Sequence, residues 1–158
     1  MITMSLLAVI RVRGQPDRRP EERTTLKLLR LHRVYHCVLV PDTPSVRGML
    51  KTVEYAVTYG EVDAETLKLL IEKRGELKGR KRVTLEYLKS LGFDSFDALA
   101  EALLSGKVTL EDLPDFKPVF RLHPPKGGFK GSVKRHFSEG GELGYRGPKI
   151  NELLRRML

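Results

Sequence analysis

The chain has 158 residues, 41% of them hydrophobic, with 29 Lys plus Arg against 20 Asp plus Glu and a formal net charge of +9. That length excludes two large domains and suits one compact domain with extensions; the apolar fraction excludes wholesale disorder, and the basic balance makes a polyanion the expected partner. A single cysteine, Cys37, excludes an internal disulfide, no Cys/His spacing matches a zinc site, and the apolar run Leu6 to Ile10 is far too short for a membrane span or signal-peptide core, so a soluble cytoplasmic protein with no membrane contact is expected.

In chain order, Leu6 to Val12 is short, aliphatic and β-prone, and Gly14-Gln15-Pro16 stops it. Pro20 suits a first helical turn, where its missing N–H would be unbonded anyway, and Glu21 and Glu22 complement the positive helix start; a helix to about Leu31 follows. Val34 to Val40 reads as a buried central strand ending at Pro41. Asp42 or Thr43 caps a helix beginning at Pro44, with Val46, Met49, Leu50 and Val53 on one face and Arg47 and Lys51 four apart on another. Tyr55 to Tyr59, closed by Gly60, is the third strand. Short loops then fold β-α-β-α-β as a small two-layer unit.

Three helical patterns follow, capped by Asp63, Thr84 and Ser95 and ending near Gly75, Gly92 and Gly106, each with one apolar stripe. They are too short to stand alone, so they pack on the α/β unit or on one another. Val119 to Leu122 is a further strand, and Pro148 opens a last helix with Ile150, Leu153, Leu154 and Met157 on one face. Seven of the fourteen glycines lie between Gly127 and Gly147, so this stretch reads as an extended arm without a core of its own. The chain divides accordingly into 1–62, 63–115 and 116–158.

Charge follows the same division. Residues 1–60 carry 10 basic and 5 acidic residues, 61–115 carry 9 and 12, and 116–158 carry 10 and 3. Two basic ends around an acidic middle point to the ends as the binding surface. Phosphate contacts need cations that converge on one backbone. The candidates are Arg11 and Arg13 at a strand end, Arg18, Arg19 and Arg23 at a helix start, His32 and Arg33 after it, and Arg47 and Lys51 on a helix face. In the tail they are Lys126, Lys130, Lys134, Arg135 and Arg146. Each alone also reads as an ordinary solvated charge. Phe129 and Phe137 read either as core packing or as platforms for splayed bases, and Gly48 as a small residue where helix and sheet approach closely. Lys78-Gly79-Arg80-Lys81-Arg82 reads equally as a basic loop or as a solvated linker. Reversing both Arg47 and Lys51 to Glu is expected to weaken assembly with thermal unfolding nearly unchanged.

Enzyme readings fail on spacing and geometry. Gly127 to Ser132 lacks the G-x-x-x-x-G-K-[ST] order and a strand-to-helix context. Adjacent strand residues point to opposite faces, so His36 and Cys37 cannot form a dyad. No carboxylate of the acidic middle is paired with a base or metal ligand. A non-enzymatic protein without cofactor or bound metal is expected. A free-standing regulator that uses the acidic middle to bind a basic protein is the alternative to an RNA-binding role, and it would show a much shallower salt dependence.

Thr25 to Leu31, Val34 to Val38 and Asp42 to Leu50 with Val53 resemble the signature of the large-subunit ribosomal protein family L-thirty. Phe120 to Gly131 and Gly140 to Gly147 resemble its long archaeal form, whose eukaryotic relative is L-seven. The resemblance implies a ferredoxin-like β-α-β-α-β core that binds large-subunit rRNA in the cytoplasmic ribosome, with a helical extension and a basic arm ending in a helix. It implies a place near 5S rRNA and neighbouring ribosomal proteins, occupied as a monomer; separately, the absence of Trp and of base-reading geometry leads to the expectation that RNA shape rather than short sequence is recognised.

Overall fold

The computed structural model describes residues 6–14 and 19–158. The α/β core follows the expected order: β1 (Leu6–Arg11), α1 (Pro20–Leu28), β2 (His36–Pro41), α2 (Pro44–Thr52) and β3 (Val57–Glu61). Then come α3 (Ala64–Arg74), β4 (Glu76–Leu77), β5 (Lys81–Arg82), α4 (Leu85–Ser90), α5 (Phe96–Leu104), β6 (Phe120–Arg121), β7 (Ser132–His136), β8 (Gly141–Tyr145) and α6 (Ile150–Met157).

Each expected N-cap that faces described backbone does its work. Thr43, Asp63, Thr84 and Ser95 accept from the amides of Val46, Thr66, Tyr87 and Ala98 at 3.1, 2.7, 3.2 and 3.1 Å. Between Asp42 and Thr43 the structure selects Thr43, leaving the Asp42 carboxylate for Arg47. α1 stops three residues before Leu31 because Arg30 turns into the left-handed region at φ 63° and the Leu31 amide folds back onto the Leu26 carbonyl at 2.9 Å. The third strand starts two residues later than its β-prone run: the Ala56 carbonyl accepts from Val12 and Arg13, which holds 55–56 in a turn.

β1 lies at the centre, antiparallel to β2 on one side and to β3 on the other, in a mixed sheet of order β6-β2-β1-β3-β8-β7. Strand alternation sends Leu7 and Val9 to one face, where Leu26 of α1, Leu50 of α2 and Val53 just after it cover them. Ala8, Ile10 and Cys37 face the other side, covered by Leu67, Leu70 and Ile71 of α3, Leu99 and Leu103 of α5, and Ile150 and Leu153 of α6. The two-layer unit is thus completed by a third layer of helices. The Gly/Pro-rich stretch supplies two strands that its composition left irregular: β8 runs parallel to β3, and β7 closes the far edge with a shifted register. Gly141 and Gly131 permit this, since a Cβ at either would run into the backbone of Arg135 or of Gly140. Among the described residues no helix is long and apolar enough to cross a membrane.

Candidate nucleic-acid interface

Sheet register gathers six of the fourteen candidates. Ile10 stands opposite Cys37, Arg11 opposite Val57, His36 opposite Arg121, Thr58 opposite Gly144 and Leu143 opposite His136. The end of β1, the starts of β2 and β3, and the ends of β6 and β7 therefore form one row across the sheet. Arg11 and Arg13 leave that row from β1, His32 and Arg33 enter it before β2, and Lys134 and Arg135 reach it on β7. α2 finishes there too, because Glu54, just beyond it, pairs with His136. Lys51 is thereby placed at this end of the molecule, exposed and with no ion pair among the described residues.

The arm comes to the same place through an aromatic contact. Tyr35, at φ 70°, donates its amide to the Arg11 carbonyl at 2.7 Å and accepts from the Leu122 amide at 3.1 Å. Its ring stacks on Phe129, with centroids 6.4 Å apart and planes 27° apart. Phe129 therefore packs on the body and carries the Lys126 and Lys130 loop to the basic end. That loop is fastened from α6: the Lys126 amide donates to the Arg156 carbonyl at 2.9 Å, and the Arg156 guanidinium donates to the carbonyls of Lys126 and Gly128. Lys130 pairs with Glu152 at 3.3 Å, largely in solvent.

The individual cations differ in what holds them. Arg11 donates to the carbonyls of Arg13 (3.0 Å) and Leu31 (2.8 Å), so it ties strand to loop, and burial lowers its pKa. Arg13 reaches the Tyr55 carbonyl at 3.5 Å. Arg19 and Arg23 are exposed at the start of α1, while Arg18 lies outside the described residues. His32 and Arg33 are exposed. Between them and the sheet sits His36, whose Nδ1 is buried with no hydrogen-bond partner among the described residues. Burial, and after it the charges of His32, Arg33, Arg121 and Arg11, hold the His36 pKa below its ordinary value. His36 is thus a half-buried imidazole at the same end of the sheet as these cations.

His36 and Arg121 were not among the sequence candidates. Arg121 was legible in principle, because it alternates with the apolar Phe120 and Leu122 in a short strand and must point outward.

Arg47 and Arg146 belong to the fold. Arg47 makes a two-pronged pair with Asp42 at 2.7 and 2.9 Å, and its guanidinium lies 4.6 Å from the Tyr145 ring and 5.6 Å from the Tyr59 ring. The hydrogen bond to Asp42 raises the Arg47 pKa and lowers that of Asp42. Arg47→Ala is accordingly expected to cost about 1–2 kcal/mol in urea unfolding, whereas Lys51→Ala should leave stability within about 0.5 kcal/mol. This corrects the expectation that the double reversal would leave unfolding unchanged. Arg146 is buried beside Glu142 and Thr58, its guanidinium 4.9 Å from the Phe137 ring. Phe137 thus packs under Arg146 and Lys149. Gly48 is exposed and a Cβ there would meet nothing within 4 Å, so close helix–sheet approach is not its reason. Cys37 is fully buried, which pushes its thiol pKa up to about 12 and leaves it unreactive.

The family model described as ribosomal protein L30p/L7e matches residues 7–57. The large ribosomal subunit protein uL30 of Thermofilum pendens is 62% identical over 156 residues, 98% of this chain and 100% of that one. That of Archaeoglobus fulgidus is 51% identical over 153 residues, 96% of this chain and 99% of its own, and that of Nanoarchaeum equitans 50% over 156 residues, 98% and 100%. With half or more of its residues shared along almost the whole length, a main sheet centred on the matched strands β1 and β2, and the expected strand–helix order, the chain belongs to the ribosomal protein L30p/L7e family.

Proposed function

We propose that this chain binds large-subunit rRNA through the basic end of its sheet, close to 5S rRNA, and holds that RNA for neighbouring ribosomal proteins. The coarser role follows from family membership: it is a structural, non-enzymatic constituent of the large ribosomal subunit, serving translation in the cytoplasm.

One observation carries the finer reading. Cations from four separate stretches of sequence, at 11–13, 32–33, 126–130 and 134–135, are brought to one end by strand register and by the Tyr35–Phe129 stack. Convergence of that kind suits a phosphate backbone, which takes point charges and forks from several elements at once. A placement beside 5S rRNA is supported by the likeness of the arm to the long archaeal form.

Tethered hydroxyl-radical cleavage in reconstituted large subunits tests this. Cys37 is buried, so only introduced thiols react. An iron chelate on Arg33→Cys should cut large-subunit rRNA strongly and 5S rRNA in part. The same chelate on Ser45→Cys, at the opposite end of α2, should cut weakly. Strong cuts from 45 and none from 33 would overturn the interface, and silence in 5S rRNA would overturn the finer placement.

A further inference from the structure

We infer that the β4–β5 hairpin is a second arm of the rRNA-binding surface, a rigid basic tip that seats on a phosphodiester backbone; this rests on the rRNA-binding reading above. The sequence alone left Lys78-Gly79-Arg80-Lys81-Arg82 open between a basic loop and a linker. The structure makes it a built element.

Gly79 and Arg80, at φ 80° and 59°, turn the chain so that Glu76 pairs with Arg82 and Leu77 with Lys81. Arg80, unlike glycine, takes on backbone strain to sit there. The hairpin is also fastened from outside its own strands. The Lys78 amide donates to the Asp115 carbonyl at 2.8 Å, the Lys117 amide to the Glu76 carbonyl at 2.9 Å, and Leu77 bridges Phe116. A solvated linker needs none of this.

Lys78 lies 3.9 Å from the Asp115 carboxylate, largely in solvent, and the other cations are crowded rather than neutralised. Arg82 donates to the Lys73 carbonyl at 3.2 Å and stands close enough to Arg74 to lower the Arg74 pKa, after burial has done so first. The Arg74 Nε is buried with no hydrogen-bond partner among the described residues. Arg80 and Lys81 are exposed and hold no ion pair among the described residues. Like charges held together in a fixed frame cost stability until an anion arrives.

Two observations favour RNA over an acidic protein. Residues 78–82 are all exposed and include no apolar side chain, so the tip offers no anchor of the kind that carries protein–protein affinity. The hairpin is also continuous with the basic end of the sheet: Arg121, opposite His36, donates to Glu76 at the hairpin's base, with Nη2 at 2.5 Å. The base of the hairpin thus abuts the sheet end through this ion pair.

Filter binding of the full chain to purified archaeal large-subunit rRNA, titrated with salt, tests the inference. Arg80→Asn, which tolerates the left-handed conformation, combined with Lys81→Gln removes two phosphate contacts. The slope of log K against log salt should become shallower by about 1.5, with an unfolding midpoint no lower than that of the wild type. His32→Gln with Arg33→Gln, at the sheet end, serves as the reference. A hairpin variant that overlays the wild type while the reference variant loses slope would overturn the hairpin's role and leave the rRNA reading standing. Affinity lost with no change in slope would mark a non-ionic contact and also overturn it. A wild-type chain that binds rRNA without salt dependence would overturn both.

Discussion

Replacing Arg146 with methionine should lower the unfolding free energy by about 3–5 kcal/mol, because it strands a buried carboxylate. Only 6% of either side chain of the Arg146–Glu142 pair is exposed. Arg146 Nη2 donates to Glu142 Oε2 at 2.5 Å and to the Glu142 carbonyl at 2.7 Å, and Nε donates to Thr58 Oγ1 at 2.7 Å. Glu142 Oε1 in turn accepts from the Gly131 amide at 3.0 Å. The pair therefore joins β8, β3 and the entry to β7.

The loss should depend on pH with a definite sign. Burial by itself raises the Glu142 pKa, but the hydrogen bonds from Arg146 and from the Gly131 and Lys130 amides outweigh it, and the net value lies below the ordinary 4.5. A carboxylate depressed in the folded state contributes stability that is fully present above its unfolded pKa and disappears as pH falls through the folded one. Wild type should therefore lose stability below about pH 4.5. In the methionine variant the buried carboxyl takes up a proton and the penalty fades, so the gap between the two should narrow on acidification. Urea unfolding at neutral pH and at steps below 4.5 measures it; a gap constant with pH would mean that lost packing, not stranded charge, is the cause. Adding Glu142→Leu should return part of the stability at neutral pH.

The second large effect is expected at Gly60. A Cβ built there runs into the Gly147 carbonyl oxygen and lies 2.9 Å from the Gly147 carbonyl carbon and 3.0 Å from the Ile150 Cβ. Relief would require β3 and the start of α6 to part. They are clamped: Asn151 Nδ2 donates to the carbonyls of Glu61 (3.0 Å) and Pro148 (2.8 Å), its Oδ1 accepts from the Asp63 amide at 2.9 Å, and the Arg146 amide donates to the Tyr59 carbonyl at 2.9 Å. Gly60→Ala should cost about 3 kcal/mol, a fall in melting temperature of about 6–12 °C for a chain of this size. Gly48→Ala, in the open on α2, should instead gain about 0.5–1 kcal/mol. A calorimetric scan of both variants decides it, and equal small shifts would mean that the β3–α6 contact yields.

Much of this protein was written locally. Thr43, Asp63, Thr84 and Ser95 each act on an amide three residues on, so side-chain chemistry and short spacing suffice to start four helices. The β-α-β-α-β order followed from apolar periodicity, and the basic character of the ends from composition. That Arg33 and Lys51 stay in solvent also accords with their positions on a loop and a polar helix face.

What tertiary structure decided is wherever the deciding partner is far along the chain. Gly60, which read as the end of a strand, sits inside β3 because it pairs with Ala8 of β1, and the distant Gly147 and Ile150 come within contact of it. Arg47 and Arg146 carry the same charge as Arg33. Yet one is held by Asp42 and two tyrosines that meet only when β3 and β8 pair, and the other by Thr58, 88 residues away. The Gly-rich stretch becomes strands only because β3 offers it an open edge. Capping and periodicity act within one or two turns and are readable in the sequence. Ion pairing, close backbone approach and sheet edges depend on which distant segments meet, and that is set by the packing of the whole chain.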